Sequence, residues 1–113
     1  PLVGFAAEAR MVLSLFARIG ADDEAAAADA YVKALVHMPK SVTLGSLLPS
    51  KECSLTKITP ALKGLRTVRE PGRINIVQAA AEAVLADGKV TLEEAELLRA
   101  VAAGLDCPMP PIF

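Results

Sequence analysis

The residues able to do chemistry in this chain are few and far apart. His37 is its one histidine, and Cys53 and Cys107 are its two cysteines. Together they offer three metal ligands, but none of the short spacings that gather zinc ligands is present, and no H-E-x-x-H pair occurs. A cysteine–histidine nucleophile meets the same objection, because nothing beside either thiol in the sequence activates it. His37 is expected instead near a helix C-terminus, where partial positive charge meets the negative end of the dipole. The thiols are expected to be reduced, as in a cytoplasmic domain. One disulfide is open on number alone, although a chain with this much core does not require it.

A second constellation is Asp87-Gly88-Lys89-Val90-Thr91-Leu92-Glu93-Glu94. It matches the second half of a calcium-binding EF-hand loop, ending on Glu94 at the bidentate position. The first and third ligand positions then fall on Ala83 and Leu85, which have no side-chain oxygen. Calcium needs six to eight oxygens, so two anchoring carboxylates are missing. The segment reads more simply as a helix–helix turn. Asp87, Glu93 and Glu94 are the candidate metal residues, and no catalytic residue is identified. A third group, Lys51, Lys57, Lys63, Arg66, Arg69 and Arg73, gathers cations in the middle of the chain. No aromatic residue interleaves them, which argues against a nucleic-acid groove. A solvated face is expected, with an acidic partner or anionic lipid headgroups as the alternative.

The elements that must position these residues are helices. Phe5, Ala9, Val12, Leu13, Phe16 and Ile19 recur at three- and four-residue spacing, widened by Met11 and Leu15, and predict a helix from Val3 to Ile19. Gly20 is expected to end it in the left-handed conformation. Asp22 or Asp23 then caps a helix to Met38, with Ala28, Val32, Leu35 and Val36 as its apolar stripe and Tyr31 beside it. Pro39 stops that helix. Residues 39–54 read as a long connector with Val42, Leu44, Leu47 and Leu48 tucked inward, and a connector of that length is a place to look for function. The third helix is ambiguous at its start: Ser54 could cap a turn beginning at Leu55, which would put Pro60 in the helix interior, but a short turn over 55–58 is expected instead. Thr59 then caps a helix from Pro60 to Val68, because a proline further in would remove a hydrogen bond.

Pro71 opens a fourth helix that reaches Ala86, its alanines allowing close approach of a neighbour. Thr91 and Glu94 form a capping-box pattern ahead of a fifth helix from Leu92 to Gly104. Leu97, Leu98, Val101 and Leu105 are expected inside, with Glu93, Glu94, Glu96 and Arg99 in water. The proline-rich end from Cys107 is expected to be extended or mobile. The turn 18–24 and the turn 86–94 echo one another as helix, glycine-containing turn and acidic helix start. Duplication and coincidence both remain open, because helix physics produces such echoes unaided.

Composition agrees with one all-α domain. The chain has 113 residues, is 53% hydrophobic and 22% charged, and carries a net charge of −1. That apolar content excludes a disordered tail, and the near-neutral balance argues against a general nucleic-acid binder. No stretch approaches the roughly 18 apolar residues of a spanning helix, and no secretory signal pattern is visible. The start at Pro1 rather than Met suggests a piece of a longer protein.

The most specific stretch is Ile76 to Pro111, with its Ala86-Asp-Gly-Lys-Val-Thr-Leu-Glu-Glu-Ala-Glu-Leu-Leu-Arg99 core and its Leu105-Asp-Cys-Pro-Met-Pro-Pro111 ending. It resembles the C-terminal end of bacterial membrane zinc metallopeptidases, larger relatives of HtpX and the CAAX prenyl proteases. Glu8 to Arg18 resembles the start of the same C-terminal part. The helix–Ala86-Asp87-Gly88–turn–helix unit is separately similar to the TerB-like helical domains of tellurite resistance.

The peptidase resemblance implies a non-catalytic accessory domain on the cytoplasmic face of the inner membrane. Its partners would be the parent's own membrane or catalytic domain, another protein, or a second copy in a homo-oligomer. The zinc and its ligands would lie in the catalytic part of the parent, so no catalytic residue and no cofactor carries over to this chain. The TerB-like resemblance implies a stand-alone metal- or stress-associated protein, with metal contact through Asp87, Glu93 or Glu94.

Overall fold

The computed structural model describes residues 2–40, 43–86 and 88–110. A 3-10 turn, Leu2–Phe5, leads into α1, Ala6–Ile19. Then follow α2, Glu24–Leu35; a 3-10 turn, Ser50–Glu52; α3, Leu55–Leu65; α4, Glu70–Leu85; and α5, Leu92–Gly104. The fold is all-α with five helices, and no strand occurs among the described residues. Its radius of gyration is 12.4 Å, against about 13 Å for a compact domain of this length.

Helix α1 is central because its apolar residues go most of the way round. Ala9, Met11, Val12, Leu13, Leu15, Phe16 and Ala17 are all buried. It packs on α2, α3 and α4, while α5 covers α4 and reaches α3. Leu65, Ile76, Leu98 and Leu105 close the core from the other helices. Ile19, expected inside, is partly exposed at the helix end.

Several boundaries differ from the sequence expectation. The chain before Ala6 is a 3-10 turn, so the first α-helix starts later than Val3. Gly20 is not left-handed; its φ is −104°. Asp23 rather than Asp22 caps α2, accepting the Ala26 N–H at 2.8 Å. Helix α2 ends at Leu35, and the turn Val36–Met38 is closed by the His37 and Met38 N–H groups on the Ala34 and Leu35 carbonyls.

The inward face of α2 is also different. Ala27, Ala30, Tyr31 and Ala34 are buried, whereas Val32 is 61% and Val36 78% exposed. Small side chains occupy this face, and α4, against which α2 packs, is itself rich in buried alanine over 79–83, a pairing that permits close helix approach.

Pro60 lies inside α3, which starts at Leu55 and ends at Leu65 rather than Val68. Thr59 is therefore not a cap. The N–H that proline lacks would have met the Thr56 carbonyl, and both residues face solvent, where water can take its place. Ser54 precedes the helix without capping it; its hydroxyl pairs with that of Thr56 at 2.9 Å. Pro71 sits in the first turn of α4, where its missing N–H has no helical partner to lose.

Helix α5 has both halves of the expected capping box and a structured end. Asp106 takes φ +55°, the Cys107 N–H reaches the Ala102 carbonyl at 2.8 Å, and the Asp106 N–H reaches Ala103 at 3.1 Å. This is a Schellman closure with aspartate in the place glycine usually takes. Beyond it, Cys107 and Met109 pack partly against the core, so the described part of the tail is docked.

Candidate functional site

The three candidate metal residues do not form a described cluster. Asp87 lies outside the described residues. Glu93 is exposed, whereas Glu94 is only 3% exposed and not in water as expected. Successive helix positions diverge by about 100°, so one carboxylate leaves the bundle as the other enters it. Among the described residues no group of three or more His, Cys, Asp or Glu side chains could hold a metal ion.

Glu94 has a structural task. Its Oε1 accepts the Thr91 N–H at 3.0 Å, while the Thr91 hydroxyl accepts the Glu94 N–H at 3.1 Å. Its Oε2 occupies the space where a Cβ on Gly20 would stand. What Gly20 provides is room for that carboxylate, not a special conformation. The contact joins the start of α5 to the turn between α1 and α2.

The same junction holds a half-open pocket of about 110 Å³ lined by Ala17, Ala26, Ala30, Ala83 and Val84, with Asp29 and Glu94 as its acids. That is well below the roughly 300 Å³ at which small-molecule sites begin. Asp29 is turned to the surface and pairs with Lys33 at 3.0 Å. Lys33 also reaches the Ala86 carbonyl at the end of α4, at 3.3 Å. His37 follows the end of α2, as expected, with its Nε2 3.6 Å from Glu82 of α4. The Lys33 bond to Ala86 ties α2 to the end of α4.

A second polar group was not foreseen. Arg10, Ser14 and Arg18 recur every fourth residue along α1 and face the connector 43–49. Arg10 donates Nε to the Ser46 carbonyl at 2.6 Å, and Arg18 donates Nε to the Leu48 carbonyl at 2.7 Å. Ser14, fully buried, accepts the Leu48 N–H at 3.1 Å. The Tyr31 hydroxyl of α2 adds a bond to the Gly45 carbonyl at 3.0 Å. The connector therefore sits where its backbone groups are satisfied, with Leu44 buried and Leu47 and Leu48 partly so. Val42 lies outside the described residues. The signal was present as a polar row at four-residue spacing in a helix whose one other polar residue is Glu8.

Arg18 also pairs with Glu24, and that hydrogen bond holds the exposed carboxyl below its ordinary range and raises the guanidinium above its own. Both cysteines are free thiols. Burial pushes each thiol above its ordinary value, and neighbouring Arg18 (for Cys53) and Arg73 (for Cys107) only partly oppose this. Neither is therefore an activated nucleophile. Among the six central cations, Arg73 is set apart: it is half-buried and donates to the Val68 carbonyl at 2.6 Å. The other five are exposed.

No protein-family model, curated protein or solved structure matches this chain. Among the described residues no helix is long and apolar enough to cross a membrane.

Proposed function

We propose that this chain is a non-catalytic accessory domain of a membrane-bound zinc metallopeptidase, acting through its surface on the parent's own catalytic or membrane part. The reading starts from the resemblance carried by Ile76 to Pro111. The observation that carries it further is how the enclosed polar side chains are used. Glu94 caps the start of α5, and Ser14, Arg18 and Tyr31 gather on the connector, where their bonds go to the backbone of Gly45 and Leu48. What remains for function is the outside, including the apolar row Ala28, Val32 and Val36 on α2 and the cations around α3. The zinc belongs to the parent's H-E-x-x-H region, which this sequence does not contain. The alternative metal-associated reading is less well supported, because Glu94 is already engaged as a cap.

Two measurements test the proposal. The coding sequence upstream of Pro1 is expected to encode membrane-spanning segments and an H-E-x-x-H helix; a start codon close to Pro1 refutes the assignment. The purified chain, assayed against unfolded protein substrates with added zinc, is expected to cleave nothing. Zinc-dependent cleavage that a chelator abolishes would overturn it.

A further inference from the structure

We propose that the outward face of α3 is a docking surface for an anionic lipid bilayer. This goes beyond the accessory-domain reading and stands on the face itself. The exposed positions of α3 and its following turn are Leu55, Thr56, Lys57, Thr59, Pro60, Lys63, Arg66 and Thr67, and none is acidic. Lys51 precedes the helix and Arg69 follows it, both exposed. Glu52 and Glu70 stand at the two ends in sequence, the Glu8 carboxylate lies beside Gly64 at one edge, and Glu24 lines the same surface hollow as Lys51. No ion pair among the described residues involves any of the five cations.

The charge is segregated as well as exposed. Residues 51–73 hold six Lys or Arg and two Asp or Glu, a net of +4. The remaining six cations and eleven acids give −5. A chain of nearly zero net charge thus carries its excess of cations in one segment, and that segment would lead in the field of a negative surface. Leu55 stands 59% exposed at the start of the helix, an apolar side chain beside the cations that can enter the headgroup boundary.

A bilayer fits this face better than a macromolecule of fixed shape. Lys57, Lys63 and Arg66 lie along the exposed side of one helix, separated by hydroxyls and a proline, so they offer no paired geometry. Mobile headgroups can adapt to such a scatter. Nucleic acid would want aromatic platforms, and none stands among these exposed residues.

The test is sedimentation of the purified chain with vesicles. Binding is expected to phosphatidylglycerol–phosphatidylcholine vesicles at low salt, to fall steeply as salt rises, and to be absent with phosphatidylcholine alone. Each base near the surface is worth about fivefold in affinity. Lys63→Glu with Arg66→Glu should therefore weaken binding at least about 25-fold, with helicity unchanged. Lys40→Glu with Arg99→Glu alters net charge equally, off this face, and should keep binding close to the parent value. Failure to pellet with anionic vesicles at low salt overturns the proposal, as does equal loss in both double variants. Equal pelleting with neutral vesicles, or tighter binding to polyglutamate than to the anionic vesicles, also overturns it; the latter would indicate an acidic protein.

Discussion

At the scale of single residues, Gly20 and Glu94 form the most constrained pair. The backbone at Gly20 is acceptable to any residue, so conformation alone predicts that Gly20→Ala stabilises the fold through the unfolded chain. The space predicts the reverse. An added methyl displaces the Glu94 carboxylate, which then loses its bond to the Thr91 N–H. Gly20→Ala should lower the unfolding free energy by about 1 kcal/mol, the usual worth of a cap, as measured by urea denaturation. In the Glu94→Ala background the same change should no longer destabilise. The two thiols make a second residue-scale prediction. Burial holds both above their ordinary value, so little thiolate exists near neutral pH. Alkylation by iodoacetamide at pH 7.5 (an assay condition, about one unit below a free thiol) should run slower than for a free cysteine and accelerate on unfolding. Rapid modification of the native chain would show an activated cysteine.

At the scale of elements, the polar row on α1 decides where the connector lies. Ser14→Ala removes the acceptor of the Leu48 N–H inside the protein and should destabilise by about 1–3 kcal/mol. The same variant should be cut faster by protease within 43–49. Unchanged stability and unchanged proteolysis would mean that this row does not hold the connector. The face of α2 gives a contrasting pair. Ala34 is fully buried beneath a close helix contact, so Ala34→Leu should cost about 1–3 kcal/mol by overpacking. Val36 is mostly exposed, so Val36→Ala should stay within about 0.5 kcal/mol. Equal effects at the two positions would indicate that α2 is rotated from the orientation described here.

At the scale of the molecule, one core joins all five helices, α1 packing on α2, α3 and α4, and α5 joining through α4 and α3, so unfolding should be a single transition. The chain has one tyrosine and no tryptophan. Tyr31 is 3% exposed and bonded to the connector, so its fluorescence reports that region while far-UV circular dichroism reports the helices. The two urea transitions should coincide; a separate tyrosine transition would show the connector and α2 coming away first.

The sequence by itself determined the all-α class, the order of the helices, the Thr91–Glu94 capping box and Pro71 in the first turn of α4. These follow from spacing and local hydrogen-bond chemistry, which a linear reading contains. Tertiary structure alone decided which side of α2 is buried, that Pro60 is carried inside α3, and that Glu94 lies against Gly20. Periodicity finds an apolar face but does not weigh valine against alanine where the neighbouring helix is itself rich in buried alanine. It likewise does not show that Thr56 and Pro60 lie on the exposed side of α3, or that one turn leaves room for the carboxylate of a helix start more than seventy residues later. Those outcomes depend on contacts between segments distant in sequence, and these exist only once the bundle has closed.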